Sequence, residues 1–163
     1  MLYNCAKTMA DSYKGVGAMN LDDVAYLFVE QYENLHGLYT EEYRKPEVDL
    51  IRRTADKSKS ALYTVVATIF GERLEDVMVG AAHGAMDYIA YVDETWVPKD
   101  AKDKANTLAM EAEHLESLEV ILRMAQMNEC SVVKKLEGIM AEAKNHFQRI
   151  EQRGFPKRKT ERC

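Results

Sequence analysis

The chain has 163 residues and a formal net charge of −5, with 47% hydrophobic and 30% charged residues. That balance belongs to a soluble globular protein with enough chain for a sizeable core, and its sign argues against a generally basic nucleic-acid binder. Three prolines and eight glycines leave too few turns for a β-sandwich and too little breaker content for a disordered chain.

Apolar residues recur at three- and four-residue spacing, which predicts helices, and caps and breakers set their ends. An N-terminal helix is expected over about 2–13. Asn20 before Leu21-Asp22-Asp23 is an N-cap with acids in the first turn and opens a helix over 21–43. Pro46 with Glu47 and Asp49 opens a second over 46–70. Gly71 interrupts the pattern, and a third helix runs over 72–96 until Pro98. Asp100 and Asp103 open a fourth over 100–127. Ser131 caps a fifth over 131–153, which Gly154-Phe155-Pro156 ends in the usual order of glycine, then proline. Similar lengths and short loops imply antiparallel neighbours. The expected fold is therefore all-α: an antiparallel bundle of five or six helices in a single domain, residues 1–153, with a short basic tail over 154–163.

Residues 153–163 hold five cations against Glu161. That net +4 leaves −9 for the rest of the chain. Such a tail reads as a solvated terminus, or as the one place where nucleic acid or an acidic partner could make contact. Cys5, Cys130 and Cys163 are odd in number and widely spaced, without a CxxC, which fits reduced thiols better than a disulfide framework or a zinc site. The N-terminus has no apolar run of signal-peptide length. The longest uncharged run, Ser60 to Gly71, falls short of the roughly 20 residues that span a bilayer. A soluble cytoplasmic protein without a membrane segment is expected.

Helical phase then sorts the polar residues by face. Glu111 falls near the centre of the apolar stripe Leu108, Ala112, Leu115, Leu118, Leu122 and Ala125, and His114 lies on the same broad face. A buried carboxylate is costly unless it is paired or bound to a cation. Helix 72–96 is expected to bury Tyr88 with Leu74, Val77, Met78, Ala81, Ala85, Ile89 and Val92. His146 stands at the edge of the last helix's stripe.

Glu111-x-x-His114 and Glu33-x-x-His36 are ExxH strings, which on a helix place a carboxylate and an imidazole on one face. The pair resembles the ferritin-like di-iron carboxylate proteins. The resemblance implies a divalent metal, iron or manganese, held by Glu111, His114, Glu33 and His36 in a carboxylate-bridged oxidative site. This sequence departs from the pattern in three places. Glu33 lies on the solvated side of its helix, helix 46–70 offers no inward acid, and no glutamate precedes residue 20.

Asp76, His83 and Asp87 share a stripe of helix 72–96 with Gly80, and Gly84 lies close by. The reading is either a shallow polar cleft, in which Asp87 orients His83, or a solvated face with glycines that admit close packing. With Glu30-x-x-Glu33, Asp76 is similar to the acid pattern of the MazG class of helical nucleotide pyrophosphohydrolases. That likeness implies magnesium-dependent hydrolysis, although Arg73 and His83 stand where acid and amide are needed.

Helix 100–127 carries a second apolar row, Ala109, Val120, Met124 and Met127. Either this helix is central in the bundle, or Val120, Met124 and Met127 form a contact with another copy or a helical protein partner. No complete catalytic set is present. The leading expectation is an intracellular helical binding or assembly module that self-associates, with a metal-dependent helical protein as the alternative.

Overall fold

A computed structural model describes residues 21–36, 46–55 and 57–155. Among them six α-helices follow one another: α1 Asp22–His36, α2 Pro46–Thr54, α3 Lys59–Phe70, α4 Leu74–Thr95, α5 Ala101–Met127 and α6 Val133–Gln152. A single 3₁₀ turn, Gly71–Arg73, joins α3 to α4. No strand occurs among the described residues, and the chain folds as an all-α, single-domain bundle. The expected helix over 2–13, the end of the helix drawn to residue 43 and the basic tail from Pro156 lie outside the described residues.

The predicted helix 46–70 is two helices. Its periodicity runs on, but the backbone breaks at Ala55, where Ala55 N–H bonds Arg52 O and Ala55 O accepts from Leu21 N–H. Ser58 then caps α3, its hydroxyl accepting from Ala61 N–H at 3.0 Å. A serine there offers the helix start a partner for an orphan donor, which favours a new helix over a continued one. The buried row of α3 is Leu62, Val66 and Phe70. Gly71, with φ at +55°, supplies the left-handed backbone that turns α3 into α4.

Asp100 caps α5 as expected, accepting from Asp103 N–H at 2.8 Å. Ser131 does not cap α6. Its hydroxyl and its N–H both donate to Glu75, at the start of α4. The turn between α5 and α6 is closed by two backbone bonds, Cys130 N–H to Ala125 O and Glu129 N–H to Gln126 O. That is the Schellman pattern, and Glu129 at φ +52° holds the left-handed position that glycine usually takes.

Two anchors set α4 beside α6 and parallel to it. Glu75 grips Ser131 at one end. At the other, Asp93 (side chain 7% exposed) accepts from Arg149 Nε at 2.8 Å and Arg153 Nη2 at 2.7 Å. His146 Nδ1 donates to the same carboxylate at 2.8 Å. Arg149 Nη2 lies equally close to that nitrogen. A nitrogen that donates has no lone pair left to accept, so the bond that counts for Arg149 runs from Nε to Asp93. Between these two helices α5 runs antiparallel. Asp103 accepts from Trp96 Nε1 and Lys99 N–H at the α4–α5 corner, and Lys104 donates to Arg153 O at the end of α6. The resulting core runs through all six helices and includes Phe28, Ile51, Leu62, Met78, Ile89, Leu115, Ile121, Leu136 and Phe147. None of the described helices is long and apolar enough to cross a membrane.

Glu129→Gly should stabilise the protein by about 0.5–1 kcal/mol, since glycine takes a positive φ without steric cost. The thermal midpoint should rise by about 2–3 °C, and a fall would show that the Glu129 side chain has a role of its own. Asp93→Asn should cost about 2–3 kcal/mol in chemical denaturation, the range of charged hydrogen bonds to a buried group whose cations partly regain water. Burial pushes the Asp93 carboxyl up, but hydrogen bonds from His146, Arg149 and Arg153 outweigh it and hold the group below its ordinary 3.8. A folded value below the unfolded one adds stability that is complete above the unfolded value and is lost as pH falls through the folded one. The gap between wild type and Asp93→Asn should therefore close as pH falls through the ordinary carboxylate range and below it.

Candidate functional site

Glu111 lies one helical turn before His114 on α5, and its carboxylate is 1% exposed. His114 Nδ1 sits 3.0 Å from Glu111 Oε2 and 3.3 Å from Oε1. The buried acid is thus satisfied from its own helix, not by an arginine or tyrosine of a neighbour. The bond orients the imidazole, whose ring stacks on Tyr88 of α4 at 4.9 Å between centroids and 17° between planes. The Tyr88 hydroxyl in turn donates to Glu30 of α1 at 3.2 Å. Tyr26 lies one turn before Glu30 on α1 and feels its charge. The charge of Glu30 raises the Tyr26 phenol above its ordinary value, and burial together with Glu30 raises that of Tyr88. Both phenols therefore stay protonated as donors.

One polar chain, Tyr26–Glu30–Tyr88–His114–Glu111, thus crosses the surface where α1, α4 and α5 meet. Two further exposed side chains extend it. α4 and α5 run antiparallel, so one turn onward from Tyr88 and one turn back from His114 lead in the same direction. Those steps arrive at Tyr91, 67% exposed, and Met110, 59% exposed. Tyr26 and Tyr88 are also open to solvent. Tyr26, Tyr88, Tyr91 and Met110 thus stand exposed within one turn of the residues of that chain.

Glu33 is half-buried, and His36 is exposed near the end of α1, its ring 4.4 Å from that of Tyr32. Among the described residues no group of three or more His, Cys, Asp or Glu is placed to hold a metal ion. Glu111 and His114 are two donors from one helix, already engaged with each other, and do not fit the donor set of a ferritin-like centre. Asp76, His83 and Asp87 are exposed and form a solvated stripe along α4 in place of a cleft. Gly80 and Gly84 serve packing, as a β-carbon at Gly80 would collide with the Gln31 amide and one at Gly84 would sit 3.4 Å from Leu27.

The second apolar row of α5 turns mostly inward. Val120 and Met124 are buried in the core, while Met127 is exposed. The row reflects a helix surrounded by its own bundle, because α1, α3, α4 and α6 all pack on α5. Met124 and Met127 line a pocket of about 120 Å³ with Lys59, Tyr63 and Thr64, well below the roughly 300–1,000 Å³ of ligand sites. Cys130 is a free thiol near it, 3.7 Å from the Tyr63 hydroxyl.

Helical phase alone places Tyr88 in the buried stripe and so hides the aromatic face. Tyr88 is 40% exposed, its ring lying across His114 at the edge of the core. The signal was available in Tyr88 and Tyr91 being three residues apart on one helix. The chain matches no protein-family model, no curated protein and no solved structure.

His114→Ala would leave Glu111 buried without its partner and should cost about 1–3 kcal/mol. The double variant Glu111→Leu/His114→Leu should recover most of that loss, since replacing both partners by apolar groups is nearly neutral. Equal destabilisation of both variants, read by denaturant melts, would show that the pair does more than satisfy a buried acid.

Proposed function

We propose that the protein is a helical binding module and that the face where α1, α4 and α5 meet is its docking surface. The observation that carries this reading is the gathering of Tyr26, Tyr88, Tyr91 and Met110, all exposed, over the contact chain that ends in buried Glu111. Scattered apolar residues on a surface need no explanation, but a contiguous group marks an interaction site. Tyrosine and methionine are enriched in such sites because they offer large contact area, and tyrosine adds a polar tip. Tyr88 is held by its stack on His114 and its bond to Glu30, so little rotamer freedom is left to lose when a partner binds.

The partner is another protein or another copy of this chain. The support for self-association no longer includes Val120 and Met124, which the core occupies. It rests on the aromatic face alone.

The test is the double variant Tyr91→Ser/Met110→Ser. Substitutions at exposed positions without structural partners should leave the thermal midpoint within about 2 °C of wild type. Light scattering or a pull-down should show an association made by wild type and lost in the variant. A wild type that stays strictly monomeric and retains no protein that the variant fails to retain would defeat the reading.

A further inference from the structure

The docking face is chemically one-sided. α1 contains no lysine or arginine and four acids, Asp22, Asp23, Glu30 and Glu33. α4 contains none across 22 residues. Of its five acids, Glu75 and Asp93 turn to α6 through Ser131 and Arg153, while Asp76, Asp87 and Glu94 are exposed. On α5 no cation occurs between Lys104 and Arg123. The basic side chains are elsewhere, at Arg52 and Arg53 on α2 and Lys134, Lys135, Lys144 and Arg149 on α6. The acids also interleave with the aromatic group. Asp87, Tyr91 and Glu94 lie at i, i+4 and i+7 on one side of α4, and exposed Glu113 follows Met110 by one turn.

We infer that the occupant of this face is an arginine- and lysine-rich polypeptide segment. The inference rests on reading the face as a docking surface and names the chemistry of its partner. Two physical terms favour a cationic chain. Guanidinium and ammonium groups bind the faces of tyrosine rings, and arginine also stacks on them. Carboxylates beside those rings then take the remaining donors as charge-assisted hydrogen bonds. A second copy presenting the same face would bring acid against acid, and like-charge contact is costly at an interface. The acids beside the rings also steer a basic chain in from solution.

The experiment measures fluorescence anisotropy of a short, labelled oligoarginine peptide with the full chain, against an oligoglutamate peptide of the same length. Wild type should bind the first and not the second, with affinity falling several-fold as NaCl rises from about 50 to about 300 mM. Tyr91→Leu keeps every charge and removes one aromatic face, and should weaken binding about two- to fivefold. Asp87→Asn/Glu94→Gln should weaken it about fivefold. Asp76→Asn, three turns from Asp87 on the same helix, should leave it unchanged. Absence of oligoarginine binding overturns the inference. So does binding that is indifferent to Tyr91→Leu, or that falls as much with Asp76→Asn as with Asp87→Asn alone, because either result marks diffuse attraction to an acidic protein. If oligoarginine fails while an association is still lost in Tyr91→Ser/Met110→Ser, the docking face stands and only the partner's chemistry is wrong. If both fail, the face itself is no docking surface.

Discussion

Asp93 sits near the C-terminal end of α4 with a carboxylate that takes hydrogen bonds from His146, Arg149 and Arg153. Three donors from successive turns of α6 converge on one acid, so α4 cannot slide or rotate against α6 without stranding a buried charge. Glu75 and Ser131 repeat the restraint at the opposite end. With both ends held, α5 has a single slot in which to lie antiparallel, and Lys104 closes on Arg153 O. The side of α4 that turns away from α6 is thereby presented to α1 and to solvent. Tyr88 and Tyr91 owe their position to that rotation.

The buried acid of α5 has a different character. Glu111 is satisfied within its own helix by His114, and the exposed side of that histidine carries Tyr88. Burying a carboxylate opposes folding unless its lone pairs are occupied. Here the partner that occupies them also builds the surface above. Core and docking face are joined through one imidazole. This is why the same residues that suggest a metal ligand pair in the linear string act as a packed spine in the fold.

Glycine has an equally local role on α4. Gly80 leaves room for the amide end of the Gln31 side chain from α1. Glu30, the residue before Gln31, accepts from the Tyr88 hydroxyl of α4. The charge distribution follows the same division of labour. Cations of α6 are used in part on Asp93, whereas α1 and α4 carry none. The side built by α1 and α4 therefore carries acids without a lysine or arginine of its own, and it exposes Tyr26, Tyr88 and Tyr91.

Local chemistry was sufficient to specify all-α structure, the cap at Asp100, the helix start at Pro46, the break at Gly71 and the inward position of Glu111. Each depends on residues within a turn or two of one another, where spacing and capping dominate. It was insufficient wherever a distant partner decides. Ser131 has the chemistry of a cap, but Glu75 takes it. The period through 46–70 is unbroken, yet Ser58 and the Ala55–Leu21 bond divide it. Asp93 looks like any solvated acid on α4 until α6 brings its donors. Val120 and Met124 look like an interface until four neighbouring helices cover α5. The sequence by itself determined the all-α class, the helix starts at Pro46 and Asp100 and the inward position of Glu111. Tertiary packing decided which of the remaining side chains are consumed inside the bundle and which stay exposed. A residue's final environment is a property of every helix around it, and helical phase describes only one.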